Sequence, residues 1–78
     1  MTVTLDSMRA DIARAIGDDP EAVGMDDNLM DLGLDSMRAM TLVVGWSETG
    51  LDLDFSALAE TPTLRGWWAH AQSRGAGA

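Results

Sequence analysis

The residue with the most usable chemistry is Ser36, in the run Asp31-Leu32-Gly33-Leu34-Asp35-Ser36-Met37-Arg38-Ala39-Met40. A glycine turn leads into Asp-Ser, and a long apolar run follows at once. Asp or Ser ahead of such a run marks a helix N-terminus. Ser36 is therefore expected at the mouth of a helix, with its hydroxyl facing solvent or the preceding loop. The unpaired N–H groups and positive dipole end at that place tolerate a phosphate. Taken alone, a serine at a helix start is ordinarily just a cap.

No other constellation competes with it. His70 is the only histidine, expected on the outward side of the last helix, and nothing in the sequence pairs it with Ser36. A nucleophilic triad has no second member. The acid pairs Asp18-Asp19, Asp26-Asp27 and Asp52/Asp54 lack the spacing of a calcium loop and read as solvated loop residues and caps. There is no cysteine, hence no disulfide and no thiolate metal site. No P-loop or dinucleotide fingerprint occurs. The chain is expected not to be an enzyme, with no catalytic residue and no metal ligand. Any reactive thiol it uses must be imported.

Seventy-eight residues make one domain with a modest core. The formal charge is −8, from 13 acids and five basic residues, all of them Arg. That balance excludes nucleic acid, which attracts basic surfaces. It suits basic protein partners, and it equally suits a small domain that only needs to stay soluble. The acids concentrate in residues 18–35, a stretch without a single Arg. No apolar run approaches the length of a membrane span, and the N-terminus lacks a signal-peptide pattern. The expected setting is cytoplasmic, with no membrane and a monomeric chain.

The elements that must position Ser36 follow from periodicity. Leu5, Met8, Ile12 and Ile16 recur at helical spacing, with Asp6, Arg9, Asp11 and Arg14 on the other face. Thr4 or Thr2 would cap this helix and Gly17 would stop it. Residues 18–35 form a long connection, and such connections in compact domains are often functional. Asp19-Pro20-Glu21 reads as the start of a single helical turn. Val23, Met25, Leu29 and Leu32 would pin the loop, Asn28–Asp31 would form another turn, and Gly33 would supply a conformation that a Cβ hinders.

A second helix, from about Ser36 to Thr49, carries two apolar stripes. Ala39, Leu42, Val43 and Trp46 share one face; Met37, Met40 and Val44 share another. One face is enough for a bundle core. A domain this small has little material to cover the second, so Met37, Met40 and Val44 are expected as a partly exposed patch beside Ser36, the kind of surface that marks interaction sites. Gly45, inside this helix, is expected to allow a neighbouring element to approach closely. Gly50 ends the helix. Residues 51–55 alternate like a strand but have no partner strand, so they are read as extended loop. Asp54 caps a short helix, Phe55 to Glu60. After Thr61-Pro62, Thr63 caps a last helix to about Ser73, with Leu64, Trp67, Trp68 and Ala71 on its core face. Trp68 is placed at the rim, and the tail from Ser73 is expected to fray.

Asp-x-Gly-Leu-Asp-Ser resembles the modification site of phosphopantetheine-dependent carrier proteins, and the resemblance runs from about Leu5 to Ala71. Gly33-Leu34-Asp35-Ser36 with Arg38 and Met40, then Trp46, Asp54-Phe55, Pro62-Thr63 and Trp67-Trp68, are similar to aryl carrier domains of siderophore assembly lines, including those fused to isochorismatases. The resemblance implies an all-α, four-helix carrier-protein bundle with a long first loop and a short third helix, spanning residues 1–73, with a disordered tail at 74–78. It implies that Ser36, next to Asp35, carries 4′-phosphopantetheine received from coenzyme A. It implies partner docking on the second and third helices, which adds Arg38, Phe55 and Ala59 to Met37, Met40 and Val44. The implied partners are a phosphopantetheinyl transferase, an adenylating enzyme, and condensing or tailoring enzymes.

There are departures. Peptidyl carriers commonly have a second Gly where Leu34 stands, and Leu or Ile where Met37 stands. Leu34-Asp35 pulls toward aryl or acyl carriers, and the paired Trp pull back toward nonribosomal systems. The expectation is a freestanding aryl or peptidyl carrier in nonribosomal peptide or hybrid biosynthesis, since the initial Met and frayed tail read as a complete chain. An acyl carrier for polyketide or fatty-acid synthesis is the near alternative. An unmodified helical interaction module is the alternative of another class.

Overall fold

The structure is a computed structural model that describes residues 3–77. Its first helix, α1 (Leu5–Ile16), buries Met8, Ile12 and Ala13. Thr4 is the cap: its hydroxyl accepts the Ser7 N–H at 3.1 Å, and the Ser7 hydroxyl accepts the Thr4 N–H at 2.8 Å. This reciprocal pair satisfies two otherwise orphan donors. Thr2, the other candidate, lies outside the described residues. Gly17 ends the helix at φ +74°, and the Asp18 N–H reaches back to the Ala13 carbonyl at 3.0 Å. That left-handed residue with its back-bond is a glycine stop.

The long connection is not loose. A single 3₁₀ turn forms at Pro20–Ala22. Val23, Leu29 and Leu34 are buried, with Met25 and Leu32 packed against the core from its edge. Asn28–Asp31 closes a turn through the Asp31 N–H and the Asn28 carbonyl at 3.0 Å. Gly33 has φ +112°, where a Cβ-bearing residue is strained.

Three more helices follow: α2 (Ser36–Glu48), α3 (Phe55–Glu60) and α4 (Leu64–Ser73). Each begins on an acceptor side chain that takes an orphan N–H. Asp35 accepts from Arg38 at 2.8 Å, Asp54 from Ser56 at 3.0 Å, and Thr63 from Gly66 at 3.1 Å. Among the described residues there is no strand. Residues 51–54 form no regular element and bury Leu51 and Leu53. The architecture is the expected all-α, four-helix bundle with a long first loop and a short third helix.

Two tryptophans join the helices. Trp46 of α2 and Trp67 of α4 meet edge to face, 6.2 Å between centroids at 84°. The Trp46 indole N–H donates to the Asp11 carboxylate on α1 at 2.9 Å, and the Trp67 indole N–H to the Leu58 carbonyl on α3 at 2.9 Å. Each ring thus fills the core while its polar atom finds a partner, which large buried indoles require. Trp68 is half-buried at the edge.

Two expectations need correction. Gly45 makes no close approach: no atom lies within 4 Å of where its Cβ would stand. It lines an open groove of about 350 Å³ between α1 and α2. The glycine under steric pressure is Gly66, where a Cβ would stand 2.8 Å from the Thr61 Cβ and 3.1 Å from the Thr61 carbonyl oxygen. The tail also differs from the expected fraying, as far as it is described. Gly75 has φ +102°, the Ala76 N–H bonds the Ala71 carbonyl at 3.0 Å, and Ala76 is 8% exposed. The same glycine stop that ends α1 folds residues 74–77 back onto the bundle. Ala78 lies outside the described residues.

Candidate functional site: the mouth of the second helix

The residue before Ser36 decides what Ser36 is free to do. Asp35 has extended backbone geometry and its Oδ1 takes the Arg38 N–H, so Asp35 is the cap and Ser36 is the first helical residue. The serine hydroxyl is thereby released from capping. Ser36 is exposed, and among the described residues no hydrogen bond engages its hydroxyl. Leu34, two residues earlier, is buried at 3% and anchors the turn, while Gly33 bends the chain. The sequence Gly-Leu-Asp-Ser therefore divides the work: bend, anchor, cap, presented hydroxyl.

Beside this mouth α2 turns two different faces outward and inward. Ala39, Val43 and Trp46 are buried, and Leu42 is half-buried. Met37, Met40 and Val44 are 82%, 44% and 51% exposed. The separation into stripes is as the periodicity requires. Arg38 and Ala59 are exposed, and Phe55 is half-buried against the core. Met30, in the turn before the site, is a further exposed methionine that periodicity did not single out. The signal was the turn itself: Leu29 goes fully inside and its neighbour must face out.

The loop that carries the site is tied to the start of α4. The Leu29 N–H bonds the Pro62 carbonyl at 2.8 Å, and the Arg65 N–H bonds the Met25 carbonyl at 2.9 Å. The Arg65 guanidinium adds a two-pronged pair to Asp26, Nε to Oδ1 at 2.6 Å and Nη2 to Oδ2 at 3.2 Å. Arg65 holds the Asp26 carboxyl below its ordinary value, first through that hydrogen bond. The Asp26 group thus favours the fold above the ordinary Asp range, and the benefit drains away as pH falls through the lowered folded value. Both partners are solvent-exposed, so screening keeps the effect small. Nothing in the local sequence pairs positions 39 residues apart.

His70 is not idle. Its Nε2 accepts the Asp54 N–H at 3.0 Å, tying α4 to the start of α3. It makes no hydrogen bond to Ser36 among the described residues, so no triad forms there. Asp18, Asp27 and Asp54 accept backbone N–H groups, as loop residues and caps do. No cluster of His, Cys, Asp or Glu suited to a metal ion occurs among the described residues. No helix of the described residues is long and apolar enough to cross a membrane.

Comparison with known proteins agrees with this geometry. The family model described as "phosphopantetheine attachment site" matches residues 6–71. An acyl carrier protein, ScoB, of Streptomyces coeruleorubidus is 41% identical over 76 residues, which is 97% of this chain and 89% of that protein. The phenyloxazoline synthase MbtB of Mycolicibacterium paratuberculosis is 44% identical over 62 residues, covering 80% of this chain but 5% of the synthase. The isochorismatase of Bacillus subtilis is 41% identical over 64 residues, covering 82% of this chain and 20% of that protein. No solved structure matches the chain significantly. The family model covers most of the chain, so this protein belongs to the phosphopantetheine attachment-site family of carrier proteins, whose members hold 4′-phosphopantetheine covalently.

Proposed function

We propose that Ser36 is the attachment point and that the chain is a freestanding aryl or peptidyl carrier for nonribosomal peptide or hybrid biosynthesis. One observation carries the attachment site: Asp35 performs the capping, so the Ser36 hydroxyl stands exposed and uncommitted. The residues fit the group chemically. The hydroxyl loses its proton and forms the new P–O bond, while the phosphoanhydride of coenzyme A breaks and its nucleotide part leaves. A phosphopantetheinyl transferase supplies the catalysis. The imported group supplies a thiol that holds cargo as a thioester, which this cysteine-free chain lacks. The protein itself contributes the hydroxyl, its presentation and a face for partners. Tethering then raises the effective concentration of cargo at each partner enzyme.

The face for partners is Met37, Met40 and Val44 of α2, continued by Phe55 and Ala59 of α3. Its exposed methionines adapt to several surfaces in turn, which suits weak, transient contacts with adenylating, condensing and tailoring enzymes. The relatives named phenyloxazoline synthase and isochorismatase support the nonribosomal reading. A monomeric, cytoplasmic chain suits a shuttle of this kind. The acyl-carrier reading has its own support, since the relative named acyl carrier protein is matched along nearly its whole length.

Intact mass after incubation with coenzyme A and a broad-specificity transferase tests the site. The wild type is expected to gain one phosphopantetheine and Ser36→Ala none. No gain on the wild type removes the carrier reading, and a gain on Ser36→Ala removes the site. Loading of the modified protein by adenylating enzymes then separates the cargo classes. Aryl or amino acids load in the nonribosomal case only.

A further inference from the structure

Arg38 is the only cation between Arg14 and Arg65, in the acidic part of the chain. Its backbone N–H is committed to the Asp35 cap, but its guanidinium has no such commitment. Nη1 lies 3.4 Å from the Gly33 carbonyl oxygen, at the long limit of a hydrogen bond. Nε lies 4.0 Å from Asp35 Oδ2, with the two side chains 55% and 61% exposed. An ion pair of that length and exposure contributes little to folding. Asp35 serves the helix through its other oxygen, so the cap does not depend on the guanidinium.

The direction of the side chain is informative. At about 100° per residue, Arg38 leaves α2 on the side away from Met40 and Val44. Helical side chains lean toward the N-terminus, and the contacts with Gly33 and Asp35 put this head over the turn that enters Ser36. The guanidinium thus belongs to the mouth of the helix more than to the methionine face. A phosphodiester formed on Ser36 adds a negative charge next to Asp35, with Asp31 nearby in sequence. Arg38 is the cation at that turn, and a guanidinium fork matches phosphate oxygens better than a distant carboxylate at 4.0 Å.

We propose that Arg38 binds the phosphodiester that joins the arm to Ser36, releasing its weak contact with Asp35, and so restrains the root of the arm. The proposal rests on Ser36 being the attachment point. It assigns Arg38 a positioning role toward the arm, distinct from gripping a partner enzyme.

Nuclear magnetic resonance on apo and transferase-modified protein tests it. Conversion should move the Arg38 Nε–H signal and leave those of Arg14 and Arg65 in place. The ³¹P signal of the modified wild type should shift between roughly 50 and roughly 500 mM NaCl, as the pair is screened. Arg38→Lys should keep that salt response and Arg38→Gln should lose it, with all three proteins melting at the same temperature. An unmoved Arg38 signal, together with a ³¹P salt response unaltered in Arg38→Gln, overturns the proposal. If those signals stay put while Arg38→Gln slows adenylating-enzyme loading severalfold, Arg38 meets an acid on the partner and the proposal again falls. Failure of the attachment site shows earlier and separately, as a wild-type chain that gains no mass from coenzyme A.

Discussion

The outward faces of α1 and α2 differ in kind. On α1 the exposed residues are Asp6 and Arg14, with Arg9 and Asp11 half-buried beside them, and charge covers the surface. On α2 the exposed residues include Met37, Met40 and Val44, apolar and open to water. Both helices have a sufficient buried stripe, so the second apolar stripe of α2 is not needed to fold the chain. Exposed apolar surface contributes nothing to the stability of the isolated domain and invites association. The difference teaches that hydrophobicity on a helix must be divided into what the core uses and what is left over. In this protein the remainder lies beside the presented serine.

Substitutions on the two stripes of α2 should therefore have unlike consequences. The largest effect belongs to the buried stripe. Trp46→Ala removes the edge-to-face partner of Trp67 and leaves Asp11 without its indole donor. A large-to-small change of this kind costs about 3–5 kcal/mol, comparable with the whole stability of so small a core. Thermal unfolding followed by circular dichroism should show the cooperative transition lost or displaced to low temperature. A near wild-type melt would mean that α2 is held by something other than this stripe.

An intermediate effect separates two glycines. Gly45→Ala places a methyl group in open space and removes a helix penalty, so it should stabilise by about 1 kcal/mol. Gly66→Ala forces a methyl group against Thr61 and should destabilise. Opposite shifts in melting temperature are the expected result, and shifts of the same sign would overturn the assignment of close packing to Gly66.

The smallest thermal effect belongs to the exposed stripe. Met40→Asp should change stability by no more than about 0.5 kcal/mol, yet slow loading by an adenylating enzyme severalfold. A large loss of thermal stability would move Met40 into the core and erase the contrast between the stripes.

Much of this molecule was written locally. The caps Asp54 and Thr63 and the stops at Gly17 and Gly50 depend on residues within one helical turn, so spacing and residue type were sufficient to find them, whereas the choices of Thr4 over Thr2 and of Asp35 over Ser36 as caps came from the structure. The stripes of α2 followed from the helical period together with the small size of the chain. The turn at Gly75 had the same local signal as the stop at Gly17, but a tail so near the chain end was read as frayed because its anchor, burial of Ala76, is a tertiary event.

Tertiary structure alone decided the rest. Whether a mid-helix glycine faces open space or a neighbour depends on where other residues lie, which left Gly45 in the open and set Gly66 against Thr61. The links Asp26–Arg65 and Asp11–Trp46 join positions far apart in the chain, where many acids could have served equally well, and His70 accepts the backbone N–H of Asp54, a donor that nearly every residue offers. Short-range chemistry determined where each helix starts and that Ser36 is offered at one of those starts. Only packing determined what holds the loop beneath it, because long-range pairing is chosen by geometry and not by residue type.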